Sequence, residues 1–173
     1  MYYQRETPLR GISVAEWKRI NRRDKEKFVR EGKAHAVLVY EGGKPVGWCQ
    51  YGTKEELPRI DAGRFYRKVA RAGNDGLWRI TCFFVDKDYR RKGVARAGLS
   101  GALASIRKSG GGLVEAYPVT SKRMAAVDEW LWFGTPSMFE REGFKIVAKL
   151  GTSRVLVQRR VIGSRSTPRS SDS

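Results

Sequence analysis

Residues 77–95 read LWRITCFFVDKDYRRKGVA, and the fold turns on how this stretch is understood. Trp78, Ile80, Cys82 and Phe84 alternate with Arg79, Thr81, Phe83 and Val85, the two-residue period of a β-strand. Both faces turn apolar towards Val85, which predicts a central strand whose end is covered on both sides. After DYRRKG comes a segment in which Ala95, Leu99, Ala102, Leu103 and Ile106 fall on one helical face. SGGG at 109–112 stops that helix, and GLVEAYPV at 112–119 is a further short strand. Strand, helix and strand in succession make a βαβ unit, so the two strands are expected to be parallel neighbours.

The flanking segments supply the rest of a mixed α/β domain. Ser13 with Glu16 three residues on has the form of a capping box, and Gly32 has the form of a helix stop. Between them a basic amphipathic helix is predicted, with Val14, Trp17, Ile20 and Phe28 on an imperfect apolar stripe. HAVLVYEGGKPVGWCQYG (35–52) places two apolar runs around a glycine turn and predicts a hairpin. Residues 54–76 mix proline, glycine and cations, as a loop with a short helix does. TSKRMAAVDEWLWFG (120–134) is a connection of unusual composition. Thr135 and Pro136 begin a helix that closes on Gly143, and FKIVAKLG and SRVLVQRRV follow as two strands. The domain is expected to span 1–162. Residues 163–173, GSRSTPRSSDS, lack large apolar side chains and read as a disordered Ser/Arg tail.

Composition limits the partners. The 173 residues carry 35 basic against 18 acidic side chains, a net charge of +17. Such a field attracts polyanions: nucleic acid, acidic surfaces, or phosphate-bearing cofactors and substrates. Cys49 and Cys82 lie in strand-like stretches without metal spacing and read as reduced core residues, so no metal is expected. No apolar run approaches a membrane span, and MYYQRETPLRG lacks the apolar region of a signal peptide. A cytoplasmic protein with no membrane partner is expected.

DYRRKGVA (88–95) is either a solvated cationic turn or a phosphate cradle. A helix start presents unpartnered amides and a partial positive charge. A glycine there lets a phosphate approach the backbone. The stretch ends a strand, starts a helix and carries Gly93 with small Ala95 beside it. It is neither a Walker A loop, since GxxxxGK[ST] is absent, nor GxGxxG, since Tyr89, Arg91 and Arg96 occupy the glycine positions.

Arg90-x-x-Gly93-x-Ala95 resembles the [Q/R]-x-x-G-x-[G/A] signature of the GNAT superfamily of N-acetyltransferases, after a strand ending in Phe83-Phe84-Val85 and at the head of a helix. Met138–Phe144 is similar to that family's later helix, which ends in a Gly-Phe pair before the next strand. The order of elements across roughly residues 13–160 matches as well. The resemblance implies an α/β (α+β) fold: a mixed, largely antiparallel sheet with a central splayed parallel pair and flanking helices. It implies acetyl-CoA as co-substrate. The backbone of Arg91, Lys92, Gly93, Val94 and Ala95 would hold its pyrophosphate, with charge from Arg90 or Arg91. Phe84 and Val85 would lend main-chain groups to the pantetheine arm. An amine would attack the thioester directly in a ternary complex, which needs a base, an oxyanion stabiliser near Val85 and an acid. The family's acid is often a Tyr at the position held here by Phe139, so either another group serves or CoA leaves as a thiolate. The strand that usually precedes the first helix is not apparent in MYYQRETPLR; the sheet is short by a strand, or the chain starts upstream.

Glu115 is the candidate base, against the plain reading of a carboxylate paired with a cation. Tyr117, two residues on, is the candidate acid, against packing. Asp86 and Asp88 orient the cationic loop, and His35 packs or lies on the surface. Trp130, Trp132 and Phe133 pack or wall the acceptor site. Arg64, Arg67, Lys68 and Arg71 form a solvated face or support the 3′-phosphate of CoA or an anionic acceptor. The acceptor is an amine on a small molecule or a protein, and the positive charge favours one that is anionic or carries an acidic stretch. Two rivals stand beside the enzyme: a nucleic-acid-binding protein, against which no helix-turn-helix, RNP or zinc-finger pattern is found, and a GNAT-fold acyl-CoA sensor without turnover. Oligomeric state is open, a dimer included.

Overall fold

The computed structural model describes residues 2–5, 10–70, 76–120 and 132–164. The helix α1 (Val14–Arg30) leads into the hairpin of β1 (His35–Glu41) and β2 (Lys44–Thr53), and α2 (Arg64–Arg67) lies in the loop that follows. Then come β3 (Leu77–Val85), α3 (Val94–Lys108), β4 (Gly111–Ala116), α4 (Pro136–Glu140), β5 (Lys145–Leu150) and β6 (Arg154–Ile162). The strands form one six-stranded sheet in the order β1-β2-β3-β4-β6-β5. The β3–β4 pair is parallel and the others are antiparallel.

Local signals act as expected at the turns. Gly42 and Gly43 both have positive φ (55° and 78°), the two-residue turn whose twist suits a hairpin. The Ser13 hydroxyl accepts the Glu16 amide at 3.2 Å. Gly32 closes α1 at φ 69°, with the Lys33 amide on the Phe28 carbonyl. Pro136 opens α4, but the Thr135 hydroxyl meets Ser137 Oγ at 3.2 Å and caps no backbone amide.

The helix α3 packs on one face of the sheet over Cys49, Ile80, Phe83, Val114, Ala116, Val155, Val157 and Val161. It buries Val94, Leu99, Ala102, Leu103 and Ile106, while Ala95 stays half-buried. By contrast, α1 buries none of its residues fully. Val14 and Trp17 of the expected stripe are exposed, and the half-buried side is made by Ile20, Asn21, Asp24, Lys25 and Phe28. That side carries too few apolar groups to be drawn fully into a core.

Two expectations for residues 77–85 are corrected. Gln50 pairs with Cys82 while Tyr51 pairs with Ile80, so Thr81 is an extra residue in β3. This bulge reverses the alternation. Phe83 joins Ile80 under α3, and Cys82 and Phe84 turn to the other face. Nor is the end of the strand covered: Phe84 is 51% exposed. Pairing with β4 runs only from Leu77 to Ile80, so beyond the bulge β3 has a neighbour on its β2 side alone among the described residues.

The 120–131 stretch of the connection, with Trp130, lies largely outside the described residues, as do Arg71 and 165–173 of the expected tail. Among the described residues the sheet ends at β1 on its hairpin side, and Tyr2–Gln4 form a single 3₁₀ turn.

Candidate active site

Where β3 and β4 part, a cavity of about 370 Å³ opens beside the start of α3. Its wall includes Phe84, Val85, Arg90, Arg91, Gly93, Val94, Ala95 and Trp132, all singled out in the sequence, together with Tyr89, Arg96, Gly134, Thr135 and Met138. The loop that enters α3 is shaped by its backbone. Asp86 accepts the Asp88 amide at 3.0 Å and holds a 3₁₀ turn over Lys87–Tyr89. Arg90 then aims its Nε at the Val85 carbonyl, 3.4 Å away.

Arg91 (φ 60°) and Gly93 (φ 82°) both adopt the left-handed conformation. For Arg91 that is strained, a feature that clusters at ligand sites. At Gly93 a Cβ would meet nothing within 4 Å, so the space over the glycine is open. The first helical bond is Ala97 amide to Gly93 carbonyl at 2.9 Å, which leaves the amides of Val94, Ala95 and Arg96 at the free end of the helix. These donors and the guanidinium groups of Arg90, Arg91 and Arg96 lie together in the cavity wall, a cradle of positive charge that suits an anion, although Arg96 also bonds Glu142. Lys92 stands outside it, with Nζ 5.3 Å from the Tyr89 ring centroid.

Phe139 lies behind the wall. It is fully buried, edge-on to Phe83 (6.0 Å) and Phe144 (5.1 Å), while its neighbour Met138 reaches the cavity. Glu142 joins the start of α3 to the end of α4, accepting from Arg96 at 3.0 Å, and its carbonyl accepts from Arg159.

On the opposite face of the sheet lies a buried polar cluster. Glu115 is 1% exposed and sits level with Arg79 in the parallel register. Its carboxylate accepts from Tyr66 (2.7 Å), Tyr117 (3.2 Å) and Gln158 (2.7 Å). Arg79, fully buried, donates to both oxygens of Asp61 (2.9 and 2.7 Å), to the Leu57 carbonyl (2.8 Å) and to the Tyr66 hydroxyl (3.3 Å). Burial opposes the Arg79 charge, but Asp61, Tyr117 and Tyr66 hold it protonated. Burial and the bond to Glu115 push the Tyr66 phenol up to about 12, and burial raises Tyr117 well above its ordinary value.

The site residues expected from sequence therefore separate into two groups. The loop residues share the cavity, whereas Glu115 and Tyr117 belong to the cluster across the sheet. Tyr117 lies one residue beyond the last β3–β4 pair, Ile80 with Ala116, which sets it at the fork. Tyr66, which bonds Glu115, and the Asp61–Arg79 pair, which reaches it through Tyr66, were not legible as site residues. Asp61 and Tyr66 lie in the loop after β2, and in the sequence Arg79 is only one position of the β3 alternation. His35 is half-buried, bonded to Glu56 at 3.0 Å and stacked on Tyr51. Cys49 is in the core and Cys82 is half-buried; both are free thiols, and burial pushes Cys82 up to about 11. No metal-binding group of His, Cys, Asp and Glu occurs among the described residues. None of the described helices is long and apolar enough to cross a membrane.

A largely antiparallel sheet, parted between its two parallel strands beside a glycine-led helix start, defines the class of fold that the signature implied. A model of the acetyltransferase (GNAT) family matches residues 2–144, and the chain belongs to that family. No curated protein matches the sequence significantly. Solved structures share the fold at low identity. A GNAT-family acetyltransferase described as putative, from Desulfovibrio desulfuricans, is 18% identical with a TM-score of 0.55, over 87% of this chain and 83% of that one. A ribosomal-protein-alanine N-acetyltransferase from Brucella melitensis is 13% identical (TM-score 0.54, covering 86% and 80%). A protein from Corynebacterium glutamicum titled histone acetyltransferase HPA2 and related acetyltransferase is 15% identical (TM-score 0.53, covering 91% and 81%).

Proposed function

We propose that this protein is an N-acetyltransferase that moves the acetyl group of acetyl-CoA to an amine within a ternary complex. The observation that carries the reading is the cavity at the fork, closed on one side by the Arg91–Gly93 cradle. The residues fit the group: open space over Gly93, three lining guanidinium side chains, helix-start amides and an edge of β3 that is unpaired among the described residues. Bound acetyl-CoA supplies an activated thioester carbonyl to the amine.

The chain's own part is binding, orientation and proton movement. The amides from Arg91 to Ala95 hold the pyrophosphate. The edge of β3 from Thr81 to Val85 orients the pantetheine arm as an added strand would be held. Trp132 and Met138 wall the cavity against water. Glu115 would take the amine proton by way of Tyr117, whose hydroxyl already donates to it, as the C–N bond forms and the C–S bond breaks. The cationic cavity would receive the leaving CoA sulfur as a thiolate. Phe139 offers no proton and is buried, so it plays no part in the transfer. Two free thiols accord with a reducing, cytoplasmic setting.

Isothermal calorimetry with acetyl-CoA tests the reading, followed by a CoA-release assay across a panel of amines and N-terminal peptides. Binding in the micromolar range is expected. Gly93→Glu should weaken it at least tenfold because the carboxylate repels phosphate. The added Cβ meets open space but is strained at φ 82°, so circular dichroism is used to check that the variant stays folded. No binding below millimolar, or equal binding by the variant, would sink the proposal. Binding without CoA release from any amine would make the protein a sensor.

A further inference from the structure

The face of the sheet opposite α3 carries a row of apolar side chains that no element among the described residues covers in full. Leu38 pairs with Trp48, and Trp48 pairs with Phe84, so the three side chains stand side by side across β1, β2 and β3. Leu38 is 53% exposed, Phe84 51%, and Tyr40 on the same face of β1 is 57%. Neighbouring strands lie about 4.8 Å apart, so the row is about 10 Å long, the length of three extended residues. Its Phe84 end lines the cavity, which makes the row continuous with the candidate active site.

Above the row stands Lys25 of α1. Its Nζ lies 5.8 Å from the Trp48 ring centroid and is bonded to Gln4 Oε1 at 3.2 Å. Among the described residues no carboxylate lies within ion-pair distance of it, although its neighbours Asp24 and Glu26 are paired with Arg5, Arg23 and Arg22. An ammonium group has three donors and favours an anionic partner when it loses water. Burial lowers the pKa of Lys25 from its ordinary value, the sign of a half-buried cation short of negative charge. The net charge of +17 likewise favours an anionic partner, without locating it.

We propose that the acceptor is a polypeptide segment that lies along the Leu38–Trp48–Phe84 row and presents an aspartate or glutamate, close to the amine to be acetylated, to Lys25. This rests on the acetyltransferase reading and names its substrate class. Apolar contact along the row gives affinity, and the ion pair chooses among acceptors. A carboxylate on Lys25 restores the missing negative charge, whereas a neutral amide in its place leaves the ammonium partly dehydrated and unpaired.

The test uses the full chain and two ten-residue peptides with free N-termini, identical except that one has Asp or Glu at positions two to four and the other Asn or Gln. Acetyl transfer is followed by CoA release, and peptide binding by Trp fluorescence without acetyl-CoA. The acidic peptide is expected to exceed its amide twin at least tenfold in kcat/KM and in affinity, about 1.4 kcal/mol. In Lys25→Gln that ratio should fall below about threefold, while Lys108→Gln, at the far end of α3, keeps it. Equal use of the two peptides, or a ratio unmoved by Lys25→Gln, overturns the proposal. So does tighter binding of a single-stranded RNA than of either peptide, with loss of that binding in Lys25→Gln. Because fluorescence reads docking without chemistry, failure of the docking proposal is separable from failure to bind acetyl-CoA.

Discussion

Tyr66 shows how much of this protein rests on single buried groups. Its hydroxyl receives a bond from Arg79 and gives one to Glu115, linking the Asp61–Arg79 pair to the carboxylate proposed as base. An unperturbed phenol has a pKa of about 10, and in the fold Tyr66 is pushed up to about 12 by burial and by Glu115. Below pH 10 both folded and unfolded chains keep the proton, and the stability is unaffected. Between about 10 and 12 the unfolded chain loses it first, so stability falls as pH rises. Urea unfolding at neutral pH and near pH 11 should show this loss, which is smaller in Tyr66→Phe. That variant should already be about 1–3 kcal/mol less stable at neutral pH, with Glu115 left short of a donor. Equal losses in both proteins would remove Tyr66 from the account. Glu115 was legible as a candidate because it lies mid-strand in GLVEAYPV, the strand expected beside the one that would hold the cofactor. Its donor Tyr117, two residues on, was legible too, but Tyr66 and Gln158 were not, since they reach it only across the folded sheet.

At the scale of elements, the position of α3 depends on two small residues. A Cβ on Gly98 would stand 3.1 Å from Cys49 Cβ, and one on Gly101 would stand 2.8 Å from Val37 Cγ1. Alanine is the better helix former by roughly 1 kcal/mol, yet close packing is expected to outweigh that preference. Gly101→Ala should lower stability by about 1–3 kcal/mol, and adding Val37→Ala should recover part of the loss. The check is a double-mutant cycle by chemical unfolding; a stabilising Gly101→Ala would show that the helix has room to move. The helix, its stop and the hairpin turn were legible because caps and turns are chosen by residues close in sequence. The bulge at Thr81 was not. It follows from how β2 and β3 register against each other, and it alone decides which face Cys82, Phe83 and Phe84 occupy.

For the whole molecule, the contrast between α1 and α3 should be measurable. A helix without fully buried residues, held at its exposed face by ion pairs such as Arg22–Glu26, gains little from packing or from those pairs. Hydrogen exchange followed by mass spectrometry should show amides of α1 exchanging at least tenfold faster than those of Leu99–Ile106 in α3. Equal protection would mean that α1 is held more firmly than its burial indicates. The net charge of +17 was plain from composition and set the kind of partner to expect, but it named no surface. The sequence by itself determined the order of elements, the βαβ unit, the glycine-led helix start and the family they resemble, because periodicity, caps and turn chemistry act over a few residues. Only the tertiary structure decided that β3 parts from β4 after Ile80, that Phe84 faces outward beside the cavity, and that Arg79 and Glu115 are buried with their partners. Those outcomes depend on pairings between residues tens of positions apart, where burial and hydrogen-bond satisfaction override the local pattern.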